Sequence, residues 1–376
     1  MKKRTFACEV LTPLFLGGAD VKSPEFRAPS IRGVMRYWYR ALLGGTTASS
    51  QDLLHKNESA LFGSVENGGA LATQLRALGA SQPVSYQKSP PVYDNAGKPH
   101  PTGKDYLFWS VALAGRPYIA PGEKFDFILK STLDSSAIMH GEMAFWLLCN
   151  LGAVGARANR GAGSFQAVSD DANLSFTPPG TINDLKEQLE RGIAFCWENL
   201  GKSWMQFGSN PPDFDVIHPD YCRISIVADQ VNGWETYNDA LNAIGGHFVN
   251  YRTHTNPLGK SDHDAVLDWV KQNGKIKPIL KRPVFGLPLA VRYKSGLQDE
   301  IRSGESDRRG SPLHIHITRL KTGCYVGVLT LFKSRFLPSG VNLKLKNRNW
   351  ETPPPPDYSV IEGFMDAFPV KPRVTL

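Results

Sequence analysis

The chain has no pair of cysteines at CxxC spacing. Its five cysteines, Cys8, Cys149, Cys196, Cys222 and Cys324, are scattered and odd in number. That pattern argues against a zinc site and a disulfide framework, and for reduced thiols in a reducing, cytoplasmic compartment. Nowhere do about eighteen apolar residues run together, so no membrane-spanning helix is expected. Met1-Lys2-Lys3-Arg4 is basic, but Gly17, Gly18 and Asp20 break any apolar run behind it, so no signal peptide is expected. Nucleotide-loop fingerprints are missing too. The glycine-rich stretch Gly152–Phe165 follows an apolar helical pattern and precedes a strand pattern, the reverse of the strand–GxGxxG–helix order, and it has no GK[ST] ending. Acidic side chains are absent from one further place, the segment between Arg27 and Arg40.

What is present has a sign. Lys and Arg outnumber Asp and Glu by 43 to 35, a net charge of +8, which favours an anionic partner without identifying it. A hydrophobic share of 41% and a charged share of 21% are those of a globular protein. With 376 residues the chain is too long for one ordinary core, and two domains are expected.

The acid-free segment reads RAPSIRGVMRYWYRALLGG over Arg27–Gly45. Pro29 and Ser30 signal a helix start and Gly44-Gly45 a helix stop. Val34, Trp38, Ala41 and Leu42 fall at helical spacing as an apolar stripe. Arg32, Arg36 and Arg40 recur every four residues on another face. Such a face is most often just solvated, but mixed signs are the rule there. Three arginines with no acid in the segment suit an anion that a planar guanidinium can grip by two bonds, such as phosphate. In the Gly152–Phe165 stretch, glycines let a backbone approach a phosphodiester, and Arg157 and Arg160 add charge; an ordinary helix-to-strand connection is the plain alternative.

In chain order the first half reads strand (Arg4–Thr12), helix, two or three strands, helix (Ala137–Leu151), glycine-rich loop and strand (Phe165–Val168). This is the split βαβ, ferredoxin-like order of an α+β fold with an antiparallel sheet. A helix over Ile182–Leu200 follows. The second half begins strand (Tyr221–Ala228) then helix, and continues to a hairpin over Leu313–Phe332. Its final helix and strand are hard to locate. The expectation is therefore an N-terminal ferredoxin-like domain over 1–170, a linking helical segment over 171–210, and a degenerate, insertion-bearing ferredoxin-like (RRM-like) domain over 211–376.

The combination of LTPLFLGGAD at Leu11–Asp20, PSIRGVMRYWYRAL at Pro29–Leu42 and ARANRGAGSF at Ala156–Phe165 resembles the RAMP superfamily of CRISPR-associated RNA-binding proteins. More narrowly it resembles the first RAMP subunit of type III-B (Cmr) effector complexes. The resemblance implies two ferredoxin-like domains, crRNA and target RNA as ligands, and other RAMP subunits as neighbours. It implies that Arg32, Arg36 and Arg40, with Arg157, Asn159, Arg160, Gly161 and Gly163, hold RNA phosphates. Tyr37, interleaved with the arginines, is a candidate base platform, whereas Trp38 sits on the apolar stripe and belongs to the core.

Histidines leave room for other readings. His247 and His254 near Arg252 would serve a metal-independent endoribonuclease, and His314 and His316 form an HxH pair with no third ligand in reach. A purely structural adaptor with a basic face for acidic subunits is a third reading. The resemblance favours a non-catalytic subunit with no metal and no cofactor.

Overall fold

The computed structural model describes residues 2–376 except 19, 21–22, 47–49, 80–82, 94–96, 133–134, 202–204, 209, 253–256, 293–295, 297, 305, 307, 349 and 356, and except the side chains of 257–260 and 292. In the first half, β1 (Lys2–Val10) leads to α1 (Ala28–Gly44), α2 (Gln51–Phe62), β2 (Ala72–Ala77) and a short α3 (Gly103–Leu107). Then come β3 (Lys124–Ser131), α4 (Ser135–Leu151) and β4 (Phe165–Val168). The strands form one antiparallel sheet in the order β2-β3-β1-β4, the order that two interleaved βαβ units produce. Phe6 pairs with Phe127 across the register, and both rings pack on Phe145 of α4 at centroid distances of 4.7 and 4.6 Å. These inward residues alternate along each strand with outward ones, so the sheet buries one face beneath the helices.

After α5 (Ile182–Leu200) the order repeats. β5 (Cys222–Val227) is followed by α6 (Tyr237–Arg252), then α7 (Pro257–Lys271), β6 (Leu289–Arg292) and β7 (Gln298–Ser303). The hairpin β8 (Leu313–Arg319) and β9 (Tyr325–Phe332) precedes β10 (Leu343–Leu345), β11 (Glu351–Thr352), α8 (Ser359–Asp366) and β12 (Arg373–Val374). The sheet order β8-β9-β5-β12 matches that of the first half, position for position. The second repeat is thus complete: α8 and β12 supply its last helix and strand. Its irregular look in sequence comes from an insertion between α6 and β8, whose strands join β10 and β11 in a separate sheet, β6-β7-β10-β11.

The ends of α1 differ from the expected caps. The N-cap is Arg27, without a side-chain cap bond, and Pro29 occupies the first turn, where its missing N–H costs nothing. Gly45 has φ −70°, so it does not end the helix by a left-handed turn. A Cβ there would collide with the Ile217 carbonyl oxygen, and one on Gly44 would press on Phe214 and Val216. The two glycines make room for the chain that enters the second unit, where the Ile217 amide donates to the Ala41 carbonyl at 2.8 Å.

Several contacts lock the units together. Arg319 on β8 forks onto Glu9 on β1 at 2.8 and 2.7 Å. The Ile317 amide donates to Ser164 Oγ at 3.1 Å, and His316 Nδ1 lies 2.5 Å from the Gly152 carbonyl. On the other side, the Lys104 amide of α3 donates to Asn242 Oδ1 of α6 at 3.0 Å. Trp38, 1% exposed, packs edge-on to His314 and against Phe332 of the second unit, which places it in the core as its stripe position predicts.

Candidate nucleic-acid interface

Helical spacing does align Arg32, Arg36 and Arg40 on one face of α1, but that face is not unopposed. α2 lies alongside it and presents Glu58, which is 4% exposed. Arg36 Nε donates to Glu58 Oε1, and Arg40 Nη1 donates to Oε2 at 2.9 Å. Arg32 donates to the Phe62 carbonyl at the end of α2, and burial beside Arg36 lowers its proton affinity. One carboxylate therefore offsets part of a triple positive charge, leaving a net excess of two.

Two openings flank this face. A groove of about 590 Å³ is lined by Arg32, Arg36, His55 and the start of α1 on one wall, and by the glycine-rich turn Gly63–Gly69 on the other. Among the described residues no carboxylate lines it. The turn begins at Gly63 with φ +85°, a left-handed conformation that glycine adopts without strain, and a Cβ there would crowd Gly69. Sequence reasoning missed this turn, although three glycines within seven residues after a helix were a legible signal. The second opening, about 900 Å³, lies between α1, α2 and the second unit. It is larger but internally neutralised, with Arg40 on Glu58, Arg335 on Asp213 at 3.0 Å and Arg309 4.0 Å from Asp215. By charge, the smaller groove is the better seat for an anion.

Tyr37 is not a free platform. Its hydroxyl donates to Asp215 Oδ2 at 2.8 Å and lies 3.1 Å from His314 Nε2, while its ring stacks on His314 at 5.5 Å. Burial, then the Asp215 carboxylate, raises its pKa well above the phenol value. Tyr37 is a unit-to-unit contact.

The Gly152–Phe165 loop also faces inward. Arg160 is 9% exposed and donates to the Phe285 carbonyl and Ser311 Oγ at 3.0 Å, and to the Leu313 carbonyl at 3.3 Å. Its guanidinium covers the Phe248 ring at 4.9 Å. Asn159 Nδ2 reaches the Ser311 carbonyl at 3.4 Å. Arg157, at φ 64°, donates from Nε and Nη2 to the Leu107 carbonyl at the end of α3. Gly161 (φ +82°) abuts Leu241, and a Cβ on Gly163 (φ +70°) would collide with the Val154 carbonyl oxygen. Both glycines permit close approach, but to the protein's own chain rather than to a phosphodiester. Thr12 Oγ1 completes the stitching, donating to the Gly161 carbonyl at 2.7 Å and accepting from the Ser164 amide at 2.9 Å. Among the described residues the arginines of the helix and those of the loop share no hydrogen-bond or ion-pair partner, so they form two separate features, not one grip. Gly163→Ala combines a strained φ with a backbone collision and is expected to lower stability by about 3 kcal/mol, read as a shift in urea midpoint.

Three of the candidate histidines are likewise engaged by neighbours. His247 Nε2 lies 3.4 Å from Asp229 on a half-exposed surface, and His254 is outside the described residues. His314 and His316 are buried against Tyr37 and Gly152. Among the described residues, no cluster of three or more His, Cys, Asp or Glu is placed to hold a metal, and no helix is long and apolar enough to cross a membrane.

Duplicated ferredoxin-like units, with a PSIRG helix after the first strand and a glycine-rich loop before the fourth, define a RAMP-type protein. The family model for the RAMP superfamily matches residues 7–166. The chain is 34% identical over 179 residues to the Cmr subunit Cmr1-2 of a Pyrococcus furiosus CRISPR system, covering 95% of that protein and 44% of this one. It is 25% identical over 327 residues to Cmr1-1 of the same organism, covering 82% of that protein and 84% of this one. The chain belongs to the RAMP superfamily, on its Cmr1 branch. Among solved structures, the apo crystal structure of Pyrococcus furiosus Cmr1 aligns over 100% of this chain and 99% of its own, with TM-score 0.63 and 20% identity. A type III-B Cmr-beta complex bound to cognate target RNA and AMPPnP, studied by cryo-EM in the presence of ssDNA, contains a chain that aligns over 89% of this one and 95% of its own, with TM-score 0.54 and 12% identity. At these identities the structural matches carry the fold.

Proposed function

We propose that this chain is a non-catalytic, RNA-binding subunit of a type III-B CRISPR effector complex, assembled beside other RAMP subunits and working in the cytoplasm. Its similarity to the Cmr1-2 subunit supports the assembly. The RNA reading rests on the groove between Arg32, Arg36 and the Gly63–Gly69 turn, an open anion seat that no carboxylate of the described residues lines. There crRNA or guide–target RNA is held by its phosphates. Phosphate contacts position a strand without reading its bases, so affinity should tolerate base changes and fall steeply with salt.

The test uses glutamine rather than glutamate, because Glu58 would repel a carboxylate at position 36. Arg32→Gln with Arg36→Gln should weaken binding of single-stranded RNA and lower the log–log salt slope by about 1.4, roughly 0.7 per phosphate contact. Glu58→Gln should act in the opposite direction, tightening binding severalfold by releasing the charge of Arg36 and Arg40. An unchanged slope in the first variant and unchanged affinity in the second would refute the assignment.

A further inference from the structure

Beyond this groove, four arginines gather where α3, α6 and the turn before β6 meet. Arg157 sits on the Leu107 carbonyl, and Arg160 and Arg252 cover Phe248 at 4.9 and 4.8 Å. Arg252 also covers Phe285 at 5.1 Å, and Arg282 belongs to the same turn as Phe285. Tyr106 completes the aromatic set, 6.1 Å from Phe248. Among the described residues none of the four arginines forms an ion pair with a carboxylate, although most other arginines of the chain do. Asp262 is the acid beside Arg282, and it is spent on the backbone amides of Lys281 and Arg282. The Nε atoms of Arg252 and Arg282 are buried and, among the described residues, have no hydrogen-bond partner.

Like charges held together this way need a counter-charge, because burial makes their mutual repulsion more costly. The cluster shows that cost: burial first, then the neighbouring guanidiniums, lowers the proton affinity of Arg157, Arg160 and Arg252. Arg160 donates from both terminal nitrogens to Ser311, Leu313 and Phe285 and acts as the buried pin. Arg157, Arg252 and Arg282 are only half-buried; Arg157 and Arg252 lie within electrostatic reach of the half-buried Tyr106, and Arg282 within reach of Arg252. Guanidinium forks interleaved with aromatic faces fit a phosphodiester with an adjoining base better than they fit a lone carboxylate.

We propose that Arg157 of the first unit, with Arg252 and Arg282 of the second, forms a second phosphate-binding point for a single RNA strand, across the joint between the two ferredoxin-like units. This rests on the RNA-binding reading above and adds to it a contribution from the second unit. The strand is then held at two places on the protein, and the joint's rigidity fixes their separation.

The test measures salt titrations of a fluorescently labelled single-stranded RNA on the full chain. Arg252→Gln with Arg282→Gln should lower the log–log slope by about 1.4, and Arg252→Lys with Arg282→Lys should restore most of it, because charge and not packing sets the slope. Thermal melts of all variants establish that they are folded, and the lysine variant separates charge loss from lost stacking. If the glutamine variant keeps the wild-type slope while the Arg32→Gln, Arg36→Gln variant loses its share, the second site is wrong and the groove stands. If the groove variant is unchanged and the Arg252, Arg282 variant alone loses slope, the groove reading fails and the joint site stands. An unchanged RNA slope in the Arg252, Arg282 variant, together with loss of poly-glutamate binding, would assign the cluster to an acidic protein and overturn the proposal.

Discussion

Arg160→Ala is expected to lower the stability of the chain by roughly 2–4 kcal/mol, the combined cost of losing charged hydrogen bonds to buried neutral acceptors and of the void left behind. The guanidinium links a loop of the first unit to three acceptors of the second, Phe285, Ser311 and Leu313. Truncation takes the donor from the Phe285 carbonyl, leaves the Leu313 carbonyl with Ser311 Oγ alone, and opens a void beside Phe248. A counter-effect exists. Burial, with Arg252 and Arg157 nearby, holds the Arg160 pKa down to about 9, and since arginine does not shed its proton this expresses a cost of keeping the charge inside. The hydrogen bonds must outweigh that cost, so the sign of the experiment is informative. Arg160→Lys should also destabilise, because a single ammonium cannot serve three divergent acceptors. A urea midpoint that moves down with little change in slope would support the pin, and a midpoint equal to or above wild type would show that the buried charge costs more than its bonds return.

That pin also marks where sequence reasoning reaches its limit. The four-residue spacing of Arg32, Arg36 and Arg40 was legible because it depends only on helix geometry. Their partner was not, since Glu58 lies on another helix, and nothing local ties it to Arg36. In the Gly152–Phe165 loop, glycine announced a close backbone approach correctly. It does not say what approaches, and here the Val154 carbonyl and the Leu241 side chain do so. The acceptors of Arg160 are 125 to 153 residues away, beyond any local pattern. Strands with strong alternation, such as those starting at Lys124 and Leu313, were readable. Ala72–Ala77 was missed because this edge strand, ATQLRA, has only its Thr73 and Leu75 side half-buried and so carries little apolar period. The repeat's last strand was missed because two paired residues, Arg373 and Val374, leave almost no pattern. Topology shows it, since β12 takes beside β5 the place that β4 takes beside β1.

Acidification should loosen the same joint. His314 and His316 point from β8 into the first unit, one against Tyr37 and the other against the Gly152 carbonyl. Burial lowers both pKa values to about 4; for His314, Asp215 opposes the shift while Arg160 and Arg309 reinforce it, and for His316 the Gly152 carbonyl opposes it. In the unfolded chain a histidine titrates near 6.5. Between these values the unfolded state binds more protons than the folded state, so stability rises with pH there. The contribution is complete above about pH 6.5 and is lost as pH falls toward 4, at roughly 3 kcal/mol per histidine. Urea midpoints measured at steps from neutral pH down to this range should fall, with a dependence approaching two protons. Carboxylates titrate in the same range, so the decisive quantity is the difference from His314→Gln with His316→Gln. That variant starts less stable, because its amides fill the ring positions poorly, but its midpoint should fall less steeply by those two protons. Parallel curves for the two proteins would show that neither imidazole resists protonation in the folded state, and the buried hydrogen bonds to Tyr37 and Gly152 would then not be what holds the units together at neutral pH.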